Sequence, residues 1–587
     1  MKTLYHSLLC SLAAVVLFSS CRKDYLDTAP KDRLDASQFF NTATDLQVYT
    51  NGFYDMLPNY SLYDATYGES ASDDVVSLIE PAQVIGTRLV PVTRGTGGWT
   101  WTNLRSINFF LQNYNKCPDD AAKQQYGGIA RFFRAWFYYD KVKKFGDVPW
   151  YGKVLEADDT ALYAARAPRT LVMDSILADI NYAIDNIKAE VQLNRITKYT
   201  ALLLKARICL FEGTFRQYHT ELGLQGTANE WLEQAASAAD QLISAGKYTL
   251  FTTGGPSACY RNLFSRNDQD AIETILARDY NPTFGRHTLA YLMTSPTAGS
   301  WGLTKDFLNN YLMKDGTRFT DIPGYDTLGF YAEMQNRDPR MTQTTAGPGF
   351  VVTGETAKEP VNLNITTTGY RVIKALPTRD QWLSSSAYND IILFRYAEAL
   401  LIYAEAKAET GEITQADLDR SINKLRDRVG MPHTILADDN ATPDPYLAAE
   451  YPNVTGPNKG VILEIRRERR IEMLNEGLRY DDLMRWKEGK KFEQPMVGIF
   501  FPRLGAFDFD NDGKPDVYLY NGGSSSGAPP GVTSLINTAQ RPLTNGTSGN
   551  LFPYRTKITF REDRDYYYPL PLEDLTLNKN LTQNPNW

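Results

Sequence analysis

Apolar residues recur at three- and four-residue intervals in several separated stretches of this chain, and most of these stretches end at or near a glycine. That period marks helices with one buried face, and a glycine just past the last periodic residue supplies the left-handed turn that closes a helix. The stretches are residues 128–142, ending near Gly146; 172–187 and 198–211, the latter stopped by Gly213; 230–245, closed by Gly246; 391–409, closed by Gly411; and 415–429, closed by Gly430. Segments 172–187 with 198–211, and 391–409 with 415–429, read as helical hairpins, and Ala397, Ala399, Ala404, Ala406 and Ala408 give the second pair a close-packing face. Between the pairs, residues 250–385 and 489–560 are rich in Pro, Gly, Thr and Asn and hold only short strand signals such as 516–520. The expected fold is mainly α: tetratricopeptide-like helical hairpins with long irregular loop insertions and a few short strands. Binding residues tend to sit in such insertions.

With 587 residues, 43% of them apolar, the chain can bury a large core, and no low-complexity linker divides it. Residues 21–587 are expected to form one unit, with an N-terminal part over about 24–230 and a C-terminal part over about 270–587. Lys and Arg number 62 against 69 Asp and Glu, a net charge of −7, and there is no dense basic run, so nucleic acid is not an expected partner.

The first 20 residues read as a signal peptide: a basic start, an apolar stretch over 8–18, then Ser19-Ser20-Cys21. The apolar stretch is short of the roughly 20 residues a bilayer span needs, and Arg22-Lys23-Asp24 end it. Ser-Ser-Cys resembles the lipobox of bacterial lipoproteins, with Phe18 where that motif prefers Leu. The resemblance implies a lipid anchor at Cys21, whose several acyl chains hold stably where one chain holds marginally. With Cys10 removed and Cys21 acylated, Cys117, Cys209 and Cys259 remain, an odd and widely spaced set that makes no disulfide framework.

Five ordered blocks then resemble the SusD/RagB family of outer-membrane nutrient-binding lipoproteins. They are the post-lipobox segment 21–30; Phe133-Arg134-Ala135 leading to Gly146-Asp147-Val148-Pro149; the stretch 393–406; Glu468 to Glu472 running on to residues 475–486; and the closing segments 568–573 and 581–587. The resemblance implies a non-enzymatic, lipid-anchored protein of the outer membrane, exposed at the cell surface. Such a protein binds glycan or oligosaccharide and delivers it to a TonB-dependent, SusC-like transporter. Peptide or other nutrient capture by the same architecture, or a lipid-anchored surface glycan hydrolase or lyase, stands as the alternative.

Read without the family, the charged residues in these blocks form a structural ion-pair network. On a helix through 393–409, Arg395 reaches Glu398 and Glu405 lies one turn from Glu409, while Glu468, Arg469, Glu472, Glu476, Arg479, Asp481, Asp482 and Arg485 supply mixed charge at helical spacing. The four histidines lack His-x-x-His or Cys-x-x-Cys company, and neither a nucleophile elbow nor a phosphate loop is present. No catalytic residues are assigned.

Two further sets of residues carry chemistry. Asp508, Asp510, Asp512 and Asp516 fall at loop positions 1, 3, 5 and 9, with Gly513 at 6 and the Lys514 carbonyl at 7, an oxygen shell suited to a structural Ca²⁺. Position 12 is Leu519, so the bidentate Glu of an EF-hand is missing. A glycan receptor needs aromatic faces beside amides and carboxylates. The family resemblance points to Trp99, Trp101 and Asn103, then Tyr280 and Trp301, with Trp382 as an outlier. Trp99 and Trp101 share one parity, so in an extended run one face carries both.

Overall fold

The computed structural model describes residues 39–59, 72–554 and 556–587. Residues 1–20, read from the sequence as a signal peptide, and Cys21 lie outside the described residues. Among the described residues, no helix is long and apolar enough to cross a membrane.

The fold is mainly α. Its frame comprises α1 (Ala43–Asn51), α2 (Thr102–Asn113), α3 (Asp120–Phe145), α4 (Arg169–Asn186), α5 (Lys198–Tyr218), α6 (Ala228–Ser244), α7 (Tyr396–Glu409), α8 (Ile422–Val429), α9 (Lys459–Glu472) and α10 (Arg479–Arg485). Helix α3 starts where Asp119 accepts the Ala122 amide at 3.0 Å and stops at Gly146, whose φ is 71°. Helices pack α3 on α4, α5 on α6, and α6 on α7. One apolar core runs through them from Phe40 to Leu570. A second core, from Val75 to Leu551, lies among the insertions.

Short strands tie the insertions down: β1 (Val75–Val76), β2 (Thr274–Arg278), β3 (Gly302–Leu303), β4 (Ile391–Arg395), β5 (Phe500–Phe501), β6 (Gly505–Phe507), β7 (Val517–Tyr520), β8 (Ser534–Asn537) and β9 (Gly549–Asn550). Antiparallel pairs join β1 to β3, β2 to β4 and β5 to β9, while β6, β7 and β8 form a three-stranded sheet.

Three expectations about the helices are corrected. Residues 391–395 are strand, because a continuous apolar run fits either period and pairing with the distant β2 decides between them. The stretch 415–429 breaks into Gln415–Asp419 and α8, and α7 packs chiefly on α6 and α9 instead of on this sequence neighbour. Gly213 does not end its helix; α5 continues to Tyr218, and a Cβ at 213 would stand 2.7 Å from Leu232 Cγ. The glycine is there to let α5 and α6 approach closely.

The charged blocks do form a buried ion-pair frame, with different partners from those helical spacing suggests. Glu398 pairs with Arg207 at 2.6 Å, while Arg395 reaches Glu273 at 2.8 Å, Glu472 at 2.7 Å and Glu476 at 2.8 Å. Glu472 also receives Arg428 at 2.6 Å and Arg340 at 3.2 Å. Burial alone would raise its carboxyl, but Arg428, Arg395 and Arg340 hold it well below the usual range. Asp482 receives Arg469 at 2.8 Å, and Arg470 meets Asp74 and Asp306, each at 2.7 Å. The frame thus fastens the insertions and the strand β1 region to α9.

Candidate functional site

A cleft of about 560 Å³ opens where three segments remote in sequence converge: 94–108, 149–163 and 574–581. Gly97 and Gly98, with φ of 61° and 87°, turn the chain so that Trp99 enters the core edge-on against Phe145, ring centroids 4.9 Å apart. Trp101 stands edge-on to Trp99 at 5.3 Å and to Tyr151 at 5.4 Å.

The opposite wall is held by hydrogen bonds from the frame. Asn108 on α2 donates to the carbonyls of Tyr151 at 2.8 Å and Lys153 at 3.2 Å, and accepts from Arg134 at 3.3 Å. Arg134 is in turn fixed by Asp179 at 2.6 Å. From the C-terminal stretch, Asn578 donates to the Ala164 carbonyl at 2.9 Å and Asn580 to that of Tyr163 at 2.7 Å. Trp101, Tyr151 and Tyr163 thereby give the cleft aromatic walls, with Arg94, Arg105, Lys153, Asp574 and Asn578 as polar lining.

Such a surface can stack the C–H faces of sugar rings and hydrogen-bond their hydroxyls. Asp574 is the one carboxylate among the described residues lining it.

The sequence candidates divide. Trp99 and Trp101 both line the cleft, but Trp99 is only 3% exposed and Trp101 is half-buried, so Trp101 offers the more accessible ring. Asn103 is not on their face. The helix begins at Thr102, which ends the extended alternation, and Asn103 lines a neighbouring cleft of about 410 Å³ with Lys141, Lys143 and Asp481.

Tyr280 and Trp301, each 5% exposed, belong to the second core and do not line the 560 Å³ cleft. Tyr280 packs edge-on to His287 at 4.7 Å and its hydroxyl lies 3.2 Å from Asn59 Oδ1. Both are packing residues here, since a ring closed in on both faces cannot stack a sugar. Trp382 donates its indole N–H to the Pro377 carbonyl at 3.0 Å beneath Arg371 and Arg379.

Sequence reasoning missed Tyr151, Tyr163, Arg105, Asn108 and Asn578 as part of the cleft. Tyr151 carried a signal, lying two residues past the Gly-Asp-Val-Pro turn that ends α3. The others come together only through tertiary packing.

The Asp-rich loop links β6 to β7. Oxygens of Asp508, Asp510 and Asp516 lie within 4.8 Å of one another, the one such cluster of three or more His, Cys, Asp or Glu among the described residues. Asp508 accepts the amides of Asn511 at 2.6 Å and Gly513 at 2.8 Å, and Asp516 accepts that of Phe509 at 2.8 Å. Asn511 and Gly513 have φ of 61° and 86°. Burial first, then the charges of Asp510 and Asp508, raise the Asp516 carboxyl above its ordinary value. Asp512 is exposed and accepts the Lys514 amide at 2.8 Å. Among the described cysteines, Cys117, Cys209 and Cys259 are free and buried.

Comparison with known proteins agrees with this architecture. The sequence profile described as "SusD family" matches residues 265–587. SusD-like protein P38 of Formosa agariphila is 24% identical over 527 residues, covering 84% of this chain and 93% of that protein. The crystal structure of a SusD-like carbohydrate binding protein from Bacteroides fragilis is 21% identical, covers 93% of this chain and all of its own, and superposes with a TM-score of 0.69. A structure described as solved with xylogluco-oligosaccharide is 18% identical, covers 91% of this chain and 97% of its own, and has a TM-score of 0.59.

Proposed function

The chain belongs to the SusD family, and from that premise we propose that it captures glycan or oligosaccharide at the bacterial surface without cleaving it. The observation that carries this reading is the cleft itself: aromatic walls at Trp101, Tyr151 and Tyr163, with amide and guanidinium groups on its lining. The proposal includes anchoring to the outer membrane through acylated Cys21 and delivery of the ligand to a TonB-dependent, SusC-like transporter. The Ser19-Ser20-Cys21 motif supports the anchor.

We also propose that Asp508, Asp510, Asp512, Asp516 and the Lys514 carbonyl hold a structural Ca²⁺. Gathered carboxylate oxygens and the left-handed backbone at Gly513 support this, since hard cations take oxygen shells in tight turns. The ion would brace the β6–β7 hairpin.

A glycan-array screen, followed by calorimetry of each hit and chromatography of the recovered ligand, tests the proposal. Saturable binding with intact ligand is expected. Cleavage products would overturn the non-enzymatic reading, and binding confined to peptides would overturn the glycan reading.

A further inference from the structure

The charge on the lining of the 560 Å³ cleft runs against that of the protein. The chain carries a net −7, yet the lining itself holds Arg94, Arg105 and Lys153 with one acid, Asp574. Asp159, paired to Lys153, and Glu573, which accepts the Arg94 amide at 2.8 Å, stand beside it and leave Arg105 as the cation without a carboxylate partner among the described residues. Asp574 is already engaged: its Oδ2 accepts the Gly95 amide at 3.0 Å and its Oδ1 lies 3.8 Å from Arg94 Nε.

Arg105 has no carboxylate within ion-pair distance among the described residues. Its Nη1 donates to the Leu155 carbonyl. This bond holds the guanidinium against the cleft wall and leaves the rest of a planar donor fork open to a ligand. Lys153, paired to Asp159 at 3.1 Å, keeps a side chain 63% exposed.

The start of α2 adds charge of the same sign. Trp101 caps it without a side-chain acceptor, and Thr102 and Leu104 of its first turn line the cleft. Aromatic walls next to excess cationic donors match a sugar chain that carries anionic groups. The cations supply the anion contacts and the rings supply stacking.

We infer that the cleft selects anionic oligosaccharides, those bearing carboxylate or sulfate groups, over uncharged ones, with Arg105 as the specificity-determining residue. This rests on the glycan-binding reading above and narrows it to a substrate class.

The test is calorimetry of the full chain in detergent with three oligosaccharides of equal length: a uronate oligomer, a sulfated oligomer and an uncharged one. At low salt at least one anionic oligomer should bind about tenfold or more tighter than the uncharged one, as expected for a charge-assisted hydrogen bond. The two anionic arms distinguish carboxylate from sulfate. The preference should shrink as salt rises from about 50 to about 500 mM. Arg105→Gln should remove most of it by weakening the anionic oligomers far more than the uncharged one, and Lys153→Gln, which leaves the Leu155 contact intact, should remove part of it.

Equal affinity for all three oligomers, or a preference that survives both substitutions, overturns the proposal. If uncharged binding then still falls in Trp101→Ala, the glycan-binding reading stands without it. If no oligosaccharide of any charge binds, both fall.

Discussion

Arg395 donates to Glu472 at 2.7 Å across 77 positions of sequence, with neither side chain exposed to solvent. The pair joins the end of β4 to α9, and through Arg428 and Arg340 the same carboxylate holds α8 and the turn before residue 341. Removing one member of such a buried set leaves the other charges uncompensated, at a cost of about 3–5 kcal/mol. Arg395→Met is therefore expected to lower the urea midpoint by that equivalent. An unchanged midpoint would show that the network does not bear on stability.

A second prediction concerns pH. His287 is fully buried, with Nε2 2.9 Å from the Asn389 carbonyl and Nδ1 accepting the Leu289 amide at 3.3 Å. This arrangement assigns the neutral ring with its proton on Nε2. Burial pushes its pKa down from 6.5 to about 4. Between those values the unfolded chain binds the extra proton and the folded chain does not, so stability falls as pH drops from 6.5 toward 4 and levels off below. The contribution is about 3 kcal/mol. His287→Asn should flatten the urea-midpoint profile across that window, and a profile of unchanged slope would refute the assignment.

A third follows from Gly213. Alanine there would gain about 1 kcal/mol of helix propensity but would place Cβ 2.7 Å from Leu232 Cγ and 3.0 Å from the Leu232 backbone nitrogen. Overpacking costs about 1–3 kcal/mol. Gly213→Ala should therefore lower the melting temperature, and a rise would mean that the α5–α6 contact can relax.

How much of this could be read beforehand depended on the range of the interaction. Helix periods and their glycine stops at Gly246 and Gly430 are local, and they appear where expected. The strand at 391–395 did not read correctly, because an apolar run fits either period until β2 arrives to pair with it. Trp99 and Trp101 reached the cleft because a short local turn carries them, whereas Asn103 was lost to the start of α2. Arg105, Tyr163 and Asn578 come from three distant segments, and no spacing in the sequence relates them.

Calcium supplies a fourth test. If the β6–β7 loop binds the ion, Ca²⁺ at about thirty times its Kd should stabilise the fold by about 2 kcal/mol, or about 2 °C for a chain of this size. Asp510→Asn, which removes a ligand charge but keeps an acceptor for the Asp512 amide now held at 3.2 Å, should abolish the shift. A shift that persists in this variant would place the ion elsewhere.

The central claim is that this cleft binds a sugar chain through its aromatic wall, and calorimetry of wild type beside Trp101→Ala measures it most directly. Stacking of a base on an aromatic side chain is worth about 1–3 kcal/mol; with a sugar face in the base's place the substitution should weaken oligosaccharide binding by about tenfold, while the circular dichroism spectrum and melting temperature stay close to wild type. Undiminished affinity in a folded Trp101→Ala protein would contradict the account and move the ligand site away from this cleft.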